Sequence, residues 1–346
     1  MSVTGHMDNK RRNRFRNLAL VSCALALLVV VLGAYVRLSD AGLGCPDWPG
    51  CYGHLLGVPE SEQEILQANR AFPQRAVEAD KAWKEMAHRY FAGVLGILIA
   101  ALAVMALRNR KDPGQPVGLP VFLVGLVIFQ ALLGMWTVTL LLKPVIVMLH
   151  LLGGFAVLSF LWWVYLDTGT ERLIYRQRLS HAVLPMLVAG LLLLIGQIIL
   201  GGWTSANYAA LACIDFPTCQ GQWWPPMDFK EGFVFWRGLG TNYEFGVLDN
   251  PARTAIHLSH RYMAVVVAAY WLVLLIYLLT TSNATASLRI ASVVTLLLLL
   301  GQLTLGVSNI VLHLPIAVAV MHNGGAVLLL LSVVTLVYLA HSEAGR

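Results

Sequence analysis

The sequence predicts an all-α integral membrane protein, with eight transmembrane helices arranged as two pseudo-twofold-related four-helix bundles. Three observations predict it. The apolar residues gather into long uncharged runs, the basic residues cluster on alternate connections, and the second half of the chain repeats polar landmarks of the first. The chain of 346 residues is 58% hydrophobic and only 12% charged, against roughly 45–50% apolar and about 25% charged in a soluble globular domain.

The first span follows Lys10, Arg11, Arg12, Arg14 and Arg16 and runs from 18 to 36, 19 positions without a charge. At about 1.5 Å of rise per residue, such a run crosses a hydrocarbon core of roughly 30 Å. A cleavable signal peptide is the rival for this segment. The apolar run is long for a signal core and no clear small-residue cleavage site follows it, so a retained helix is expected. The tail is too short and too poor in Ser for a mitochondrial transit peptide, which points to a bacterial plasma membrane. The second span, 90–107, is followed by Arg108, Arg110 and Lys111. Spans three and four occupy about 117–142 and 144–166, with only Lys143 between them, and Arg172, Arg176 and Arg178 come next. Spans five to eight cover about 182–204, 262–281, 290–312 and 314–340, and no basic residue surrounds His313. Basic residues in short loops mark the cytoplasmic side. Both termini are therefore expected in the cytoplasm, and the loops after spans one, three, five and seven outside. The net charge of +6 reports this topology, with the lipid bilayer and not a nucleic acid as partner.

A shift of 172 residues carries Glu85-Met-Ala-His88-Arg89-Tyr90 onto His257-Leu-Ser-His260-Arg261-Tyr262. It also carries Gln130 to Gln302, Gly134 to Gly306 and His150 to His322, while a shift of 168 carries Cys45 and Cys51 to Cys213 and Cys219. Repetition at this length signals duplicated structural units. With four spans in each unit the two share one orientation, so the repeat is parallel, unlike the inverted repeats common in transporters. The chain divides into a cytoplasmic tail (1–16), an N-terminal unit (17–166), a cytoplasmic linker (167–181), a C-terminal unit (182–340) and a final tail (341–346). Each unit has one long outer loop, about 38–84 and 205–254, expected to form a structured cap.

Ionisable residues inside spans are costly and mark function by default. His88 and His260 fall at the outer ends of spans two and six, in their first turns. His150 and His322 lie six and seven residues after Pro144 and Pro315, counting inward from the same side. One such histidine alone reads best as a helix cap or a cross-bundle hydrogen bond. Four of them, paired by a repeat and at matching depth, point to imidazoles that grip heme iron from both faces within a four-helix unit. Zinc fits less well, because it takes a third or fourth protein ligand. Gly93, Gly96, Gly153, Gly154, Gly324 and Gly325 lie near these histidines and would admit either a flat macrocycle or close helix packing. Arg37, Arg89 and Arg261, at the outer ends of spans one, two and six, suit either interfacial anchoring or bidentate bonds to heme propionates.

Cys45 and Cys51, like Cys213 and Cys219, share the spacing C-x5-C in loops that face an oxidising compartment, so two disulfides are expected. They would staple the caps or, if strained and exposed, exchange electrons. The units differ three residues before the first histidine, where Glu85 stands against His257. Residues three apart share a helix face, so Glu85 is expected one turn outward of His88, over the same heme. A carboxylate there accepts a proton or stabilises charge, unless it only complements a helix dipole. His257 would stabilise charge or bond a propionate.

The run from Gly33 to Cys51 (GAYVRLSDAGLGCPDWPGC), with E-x-x-H-R at 85–89, H-R at 260–261 and the later His150 and His322, resembles the heme A synthase family over essentially all of 17–340. The resemblance implies oxidation of a ring methyl of heme O to the formyl of heme A, by successive hydroxylations and loss of water from the gem-diol. It implies that His88 and His150 flank the heme O iron, that Glu85 is catalytic, and that His260 and His322 hold a permanent heme b that relays electrons. It further implies handover from heme O synthase and onward to cytochrome oxidase assembly, and an electron acceptor or donor that the sequence does not name; self-association stays open. The rival readings are a di-heme, quinol-linked electron carrier, which has no need of an unmatched Glu85, and a membrane disulfide oxidoreductase working through the outer cysteines.

Overall fold

The computed structural model describes residues 9–112, 114–169 and 182–344, and within them the chain forms ten helices and no strand beyond two isolated bridges. In chain order these are α1 (Asn9–Leu38), α2 (Glu62–Ala71), α3 (Ala79–Arg108), α4 (Gly118–Thr139), α5 (Pro144–Asp167), α6 (Val183–Ala206), α7 (Phe229–Gly232), α8 (Asn250–Thr280), α9 (Ala286–Val311) and α10 (Ile316–Ala344). All except α2 and α7 are long and apolar enough to cross a membrane, which gives the eight spans expected. Most of the linker expected at 167–181, with Arg172, Arg176 and Arg178, lies outside the described residues, as do the outermost tail residues.

Local chemistry explains where the helices begin. Pro144 opens α5, where its missing N–H removes nothing the helix would use. Asp249 caps α8 through the Ala252 N–H at 3.1 Å, and Thr285 caps α9 through Leu288 N–H at 3.2 Å. Ser61 and Glu64 make a reciprocal capping box on α2.

Two starts differ from the apolar runs. Helices α3 and α8 begin at Ala79 and Asn250, well outside the runs that open at 90 and 262. Hydropathy marks only the part of a helix that lipid demands to be apolar, and the polar turns beyond it stay helical by packing against the caps. His88 is therefore the tenth residue of α3 and not in its first turn. Glu85 is the seventh, while Asp80 is the acidic residue of the first turn. The helix-dipole explanation of Glu85 falls with that, because the dipole acts within the first turn.

Helices α1, α3, α4 and α5 close a ring of contacts, α1 on α3, α3 on α4, α4 on α5 and α5 on α1. Helices α6, α8, α9 and α10 close the same ring in the same order. Between the rings, α5 packs on α10, α1 on α10 and α5 on α6. Exchanging α1 with α6, α3 with α8, α4 with α9 and α5 with α10 leaves this whole pattern unchanged. The shared core includes Phe155, Leu158, Leu161, Val327 and Val333, all buried. The Trp162 indole donates to Thr335 Oγ1 at 2.9 Å, and the Tyr338 hydroxyl to Leu166 O at 3.2 Å. The short outer links turn alike: Leu141 and Leu142, and their counterparts His313 and Leu314, all have φ between 51° and 62°.

Both caps are structured, and they interlock. Arg75, from the N-terminal cap, forms a bidentate ion pair with Glu244 of the C-terminal cap at 2.6 and 2.9 Å. Lys143, at the mouth of α5, is 1% exposed; its ammonium donates to Arg237 O at 2.5 Å and Gly238 O at 3.2 Å and sits 3.6 Å from the Trp236 ring. The Tyr243 N–H donates to Leu141 O at 3.0 Å. The C-terminal cap thus reaches across the mouth of the N-terminal ring.

Candidate functional site

Each of the four histidines lies against a glycine of a neighbouring helix. A Cβ on Gly33 of α1 would lie 2.9 Å from His88 Cε1, and one on Gly201 of α6 would lie 3.0 Å from His260 Cε1. A Cβ on Gly134 of α4 would be 3.4 Å from His150 Cε1, and one on Gly306 of α9 would be 3.2 Å from His322 Cε1. Each ring therefore rests on the backbone of a neighbouring helix, at matching places in the two units.

In the N-terminal ring the His88 and His150 imidazoles face each other, with centroids 6.4 Å apart and planes at 84°. Two imidazoles on opposite sides of one metal, each bonded at about 2.0–2.1 Å, have centroids roughly 6–6.5 Å apart. Nδ1 of His88, His150 and His322 is buried and makes no hydrogen bond of ordinary geometry. Among the described residues, no group of three or more His, Cys, Asp or Glu converges on a bare metal ion. Paired imidazoles with no third protein ligand fit a macrocycle that brings its own equatorial nitrogens.

Above the histidines lie the disulfide loops. Cys45 is bonded to Cys51 and Cys213 to Cys219, as expected, and Cys23 is a buried thiol. Asp47 folds the first loop by accepting from Tyr52 N at 2.6 Å and Gly53 N at 2.8 Å. Asp215 does the same in the second, accepting from Gln220 N at 2.6 Å and Gly221 N at 3.0 Å. The Thr218 hydroxyl, together with those two amides, holds the Asp215 carboxyl down at about 2.

Glu85 and His257 occupy the same structural place. Glu85 is 5% exposed; one oxygen accepts the Cys45 N–H at 2.9 Å and the other is ion-paired with Arg89. His257 is 3% exposed, and its Nδ1 accepts the Cys213 N–H at 3.3 Å. Arg89 also donates to Asp47 O at 2.9 Å and Gly50 O at 2.5 Å, and Arg261 donates to Asp215 O at 2.8 Å and Thr218 O at 3.1 Å. Arg37 donates to Ser205 O at 2.8 Å and stacks 4.0 Å above Tyr208, across the boundary between units. The arginines expected to anchor in the interface or bind propionates thus hold loop and helix-end carbonyls.

Residues 16–334 match the family model described as "Cytochrome oxidase assembly protein". The chain is 48% identical over 318 residues to the heme A synthase of Shewanella oneidensis, covering 92% of this chain and 94% of that one. It is 27% identical to the heme A synthase of Shouchella clausii (86% and 87% covered) and 28% identical to that of Caulobacter vibrioides (92% and 95%). The chain belongs to the heme A synthase family.

For a heme A synthase family member, the sequence located the four histidines, both cysteine pairs and the Glu85–His257 difference. It missed what holds them. Gly33 and Gly201 are related by the same shift of 168 as the cysteines, which would have flagged them. Of the glycines singled out for their nearness to histidines, Gly153 and Gly325 do lie under polar side chains, those of Gln130 and Gln302; Gly154 and Gly324 meet only Val30 and Val31, and Gly93 and Gly96 meet nothing within 4 Å. Gln197, whose Nε2 lies 3.0 Å from His260 Nδ1, went unnoticed because the same shift places Val29 opposite it.

Proposed function

We propose that this chain is a heme A synthase that oxidises a ring methyl group of heme O to the formyl of heme A for cytochrome oxidase assembly. The N-terminal unit (17–166) is the substrate site, with His88 and His150 as ligands to the heme O iron. The C-terminal unit (182–340) is the electron-handling site, with His260 and His322 holding heme b, which when bound supplies one-electron transfer. The observation that carries this division is the single exchange of Glu85 for His257 at one structural position, each bonded to the N–H of the first cysteine of its loop.

Glu85 is suited to handle a proton. Its oxygens meet the backbone of Cys45 and Gly44 and the Arg89 guanidinium, and a carboxylate offers about four acceptor positions, so a lone pair remains for a hydroxylated substrate or its water. The ion pair with Arg89 fixes its direction, and the disulfide loop beneath Asp47 and Arg89 keeps bulk water from the carboxylate. We assign the cysteine pairs a structural role, since each loop is also tied by an Asp and an Arg. The matching contact rings support a parallel duplication about an axis along the membrane normal, with the caps and heme sites outside a bacterial plasma membrane and the termini inside. Heme O arrives from heme O synthase, and heme A leaves toward cytochrome oxidase assembly.

Replacing Glu85 with Gln keeps an acceptor for Cys45 N–H and removes the charge. Pigment extracts of the purified Glu85→Gln protein are expected to retain heme b while heme A falls by at least a hundredfold, within the range of general acid–base contributions of about 10²–10⁴. Undiminished heme A would remove Glu85 from the chemistry.

A further inference from the structure

Three arginines from two helices converge at the end of the N-terminal unit opposite the caps. Arg11 and Arg14 stand on α1, three residues apart and so on one face, and Arg108 lies in the last turn of α3, which packs against α1. With Met105 and Asn109 of α3 they line an open cavity of about 420 Å³, within the roughly 300–1,000 Å³ of small-molecule sites. Arg11 pairs loosely with the Asp112 carboxylate at 4.0 Å. Among the described residues, neither the Arg14 nor the Arg108 guanidinium has a hydrogen bond or an ion pair. The neighbouring Arg12 and Arg16 are engaged elsewhere, with Asn9 Oδ1 at 3.0 Å and the Tyr165 hydroxyl at 3.1 Å.

Basic residues at this end would serve topology wherever they stood on the helices. Their convergence on one cavity is a separate fact, and the C-terminal unit has no counterpart in sequence. The shift of 168 sets Leu179 and Ala182 opposite Arg11 and Arg14, and the shift of 172 sets Thr280 opposite Arg108. Below the arginines the same two helix faces are apolar. Val21 and Leu28 follow Arg14 at intervals of seven, and Val104 and Ile97 precede Arg108 by four and eleven. At 3.6 residues per turn each stays within about 40° of its arginine, and all four side chains are exposed. A guanidinium meets phosphate oxygens two at a time. Guanidinium groups at the end of a helix pair, with exposed apolar side chains beneath them, match a phosphodiester that carries acyl chains.

We propose that this cavity is a site for one anionic phospholipid, its phosphate held by Arg11, Arg14 and Arg108 and its acyl chains laid along α1 and α3. Bound there, the lipid ties together the far ends of the two helices that bring Gly33 against His88. Such a site is independent of which heme each unit holds.

The test is native mass spectrometry of the purified full-length protein in detergent, titrated with phosphatidylglycerol or with phosphatidylcholine of the same acyl chains. The wild type is expected to bind one phosphatidylglycerol more tightly than phosphatidylcholine by on the order of tenfold, as a few basic residues beside an anionic headgroup allow. Arg14→Gln with Arg108→Gln is expected to abolish that preference. Arg110→Gln with Lys111→Gln, which removes as much charge at the same end but outside the cavity, is expected to keep it. Excess inorganic phosphate is expected to leave the lipid bound, because it lacks the acyl contacts. No preference in the wild type overturns the site, as does equal loss in both double variants, which would mark general charge and not the cavity. Displacement of the lipid by inorganic phosphate overturns the phospholipid in favour of a free anion.

Discussion

A methyl group at Gly33 would stand 2.9 Å from an imidazole carbon, closer than real side chains approach, and one at Gly201 would stand 3.0 Å away, tight enough that the ring must give by a few tenths of an ångström. Overpacking of this kind costs about 1–3 kcal/mol. Gly201→Ala is therefore expected to lower the heme b retained by purified protein about tenfold, equivalent to about 1.4 kcal/mol. Gly33→Ala is expected to spare heme b and reduce heme A; pyridine hemochrome spectra with pigment extraction separate the two. Asp215 makes a residue-scale prediction about pH. Its carboxyl is held at about 2, below the ordinary 3.8, so its contribution to stability is present above pH 4 and is lost as pH falls through about 2. The melting temperature of Asp215→Asn should lie below that of the wild type at pH 5–7, and the gap should close as pH approaches 2.

At the scale of elements, the interlocked caps are the feature that neither unit would possess alone. The Arg75–Glu244 pair joins them with two charge-assisted bonds, and Arg75 holds the Glu244 carboxyl below its usual range. The pair is partly buried, at 22% and 8% side-chain exposure. We expect Arg75→Ala to destabilise the protein by about 1–2 kcal/mol, more than an exposed pair but less than the 3–5 of a fully buried one. The charge reversal Arg75→Glu with Glu244→Arg should recover part of that loss in thermal unfolding, whereas either reversal alone should not. Helices α3 and α8 teach a related lesson. Their outer turns carry Glu85, His88, His257 and His260, yet these turns lie before the apolar runs, where hydropathy no longer reports helix. What keeps them helical is contact with the disulfide loops through Glu85 and Arg89, and through His257 and Arg261.

At the scale of the whole molecule, large apolar side chains project outward along the spans, among them Ile97, Leu192, Val265, Val273 and Leu297, each more than 60% exposed. On a protein surrounded by water such a surface would drive association; here it is the lipid-facing surface of a bundle whose helices satisfy their own backbone hydrogen bonds. The orientation proposed above predicts a labelling pattern. A membrane-impermeant maleimide applied to intact cells should modify Leu56→Cys and Leu239→Cys, which are exposed in the caps, and should reach Asn109→Cys and Ser282→Cys only after the membrane is opened. Labelling of the second pair in intact cells would reverse the topology.

The sequence by itself carried the eight spans, the repeated polar landmarks with their four histidines, the cysteine pairing and the Glu85–His257 difference. These follow from properties carried along the chain: apolar run length, charge placement, spacing and self-similarity. Only the tertiary structure decided what surrounds them. That Gly33 lies against His88, that Glu85 and His257 each bind a cysteine N–H, and that Arg75 reaches Glu244 are contacts between positions far apart in the chain, set by helix packing. The two units differ where Glu85 on the N-terminal side and His257 on the other each accept the N–H of a loop cysteine.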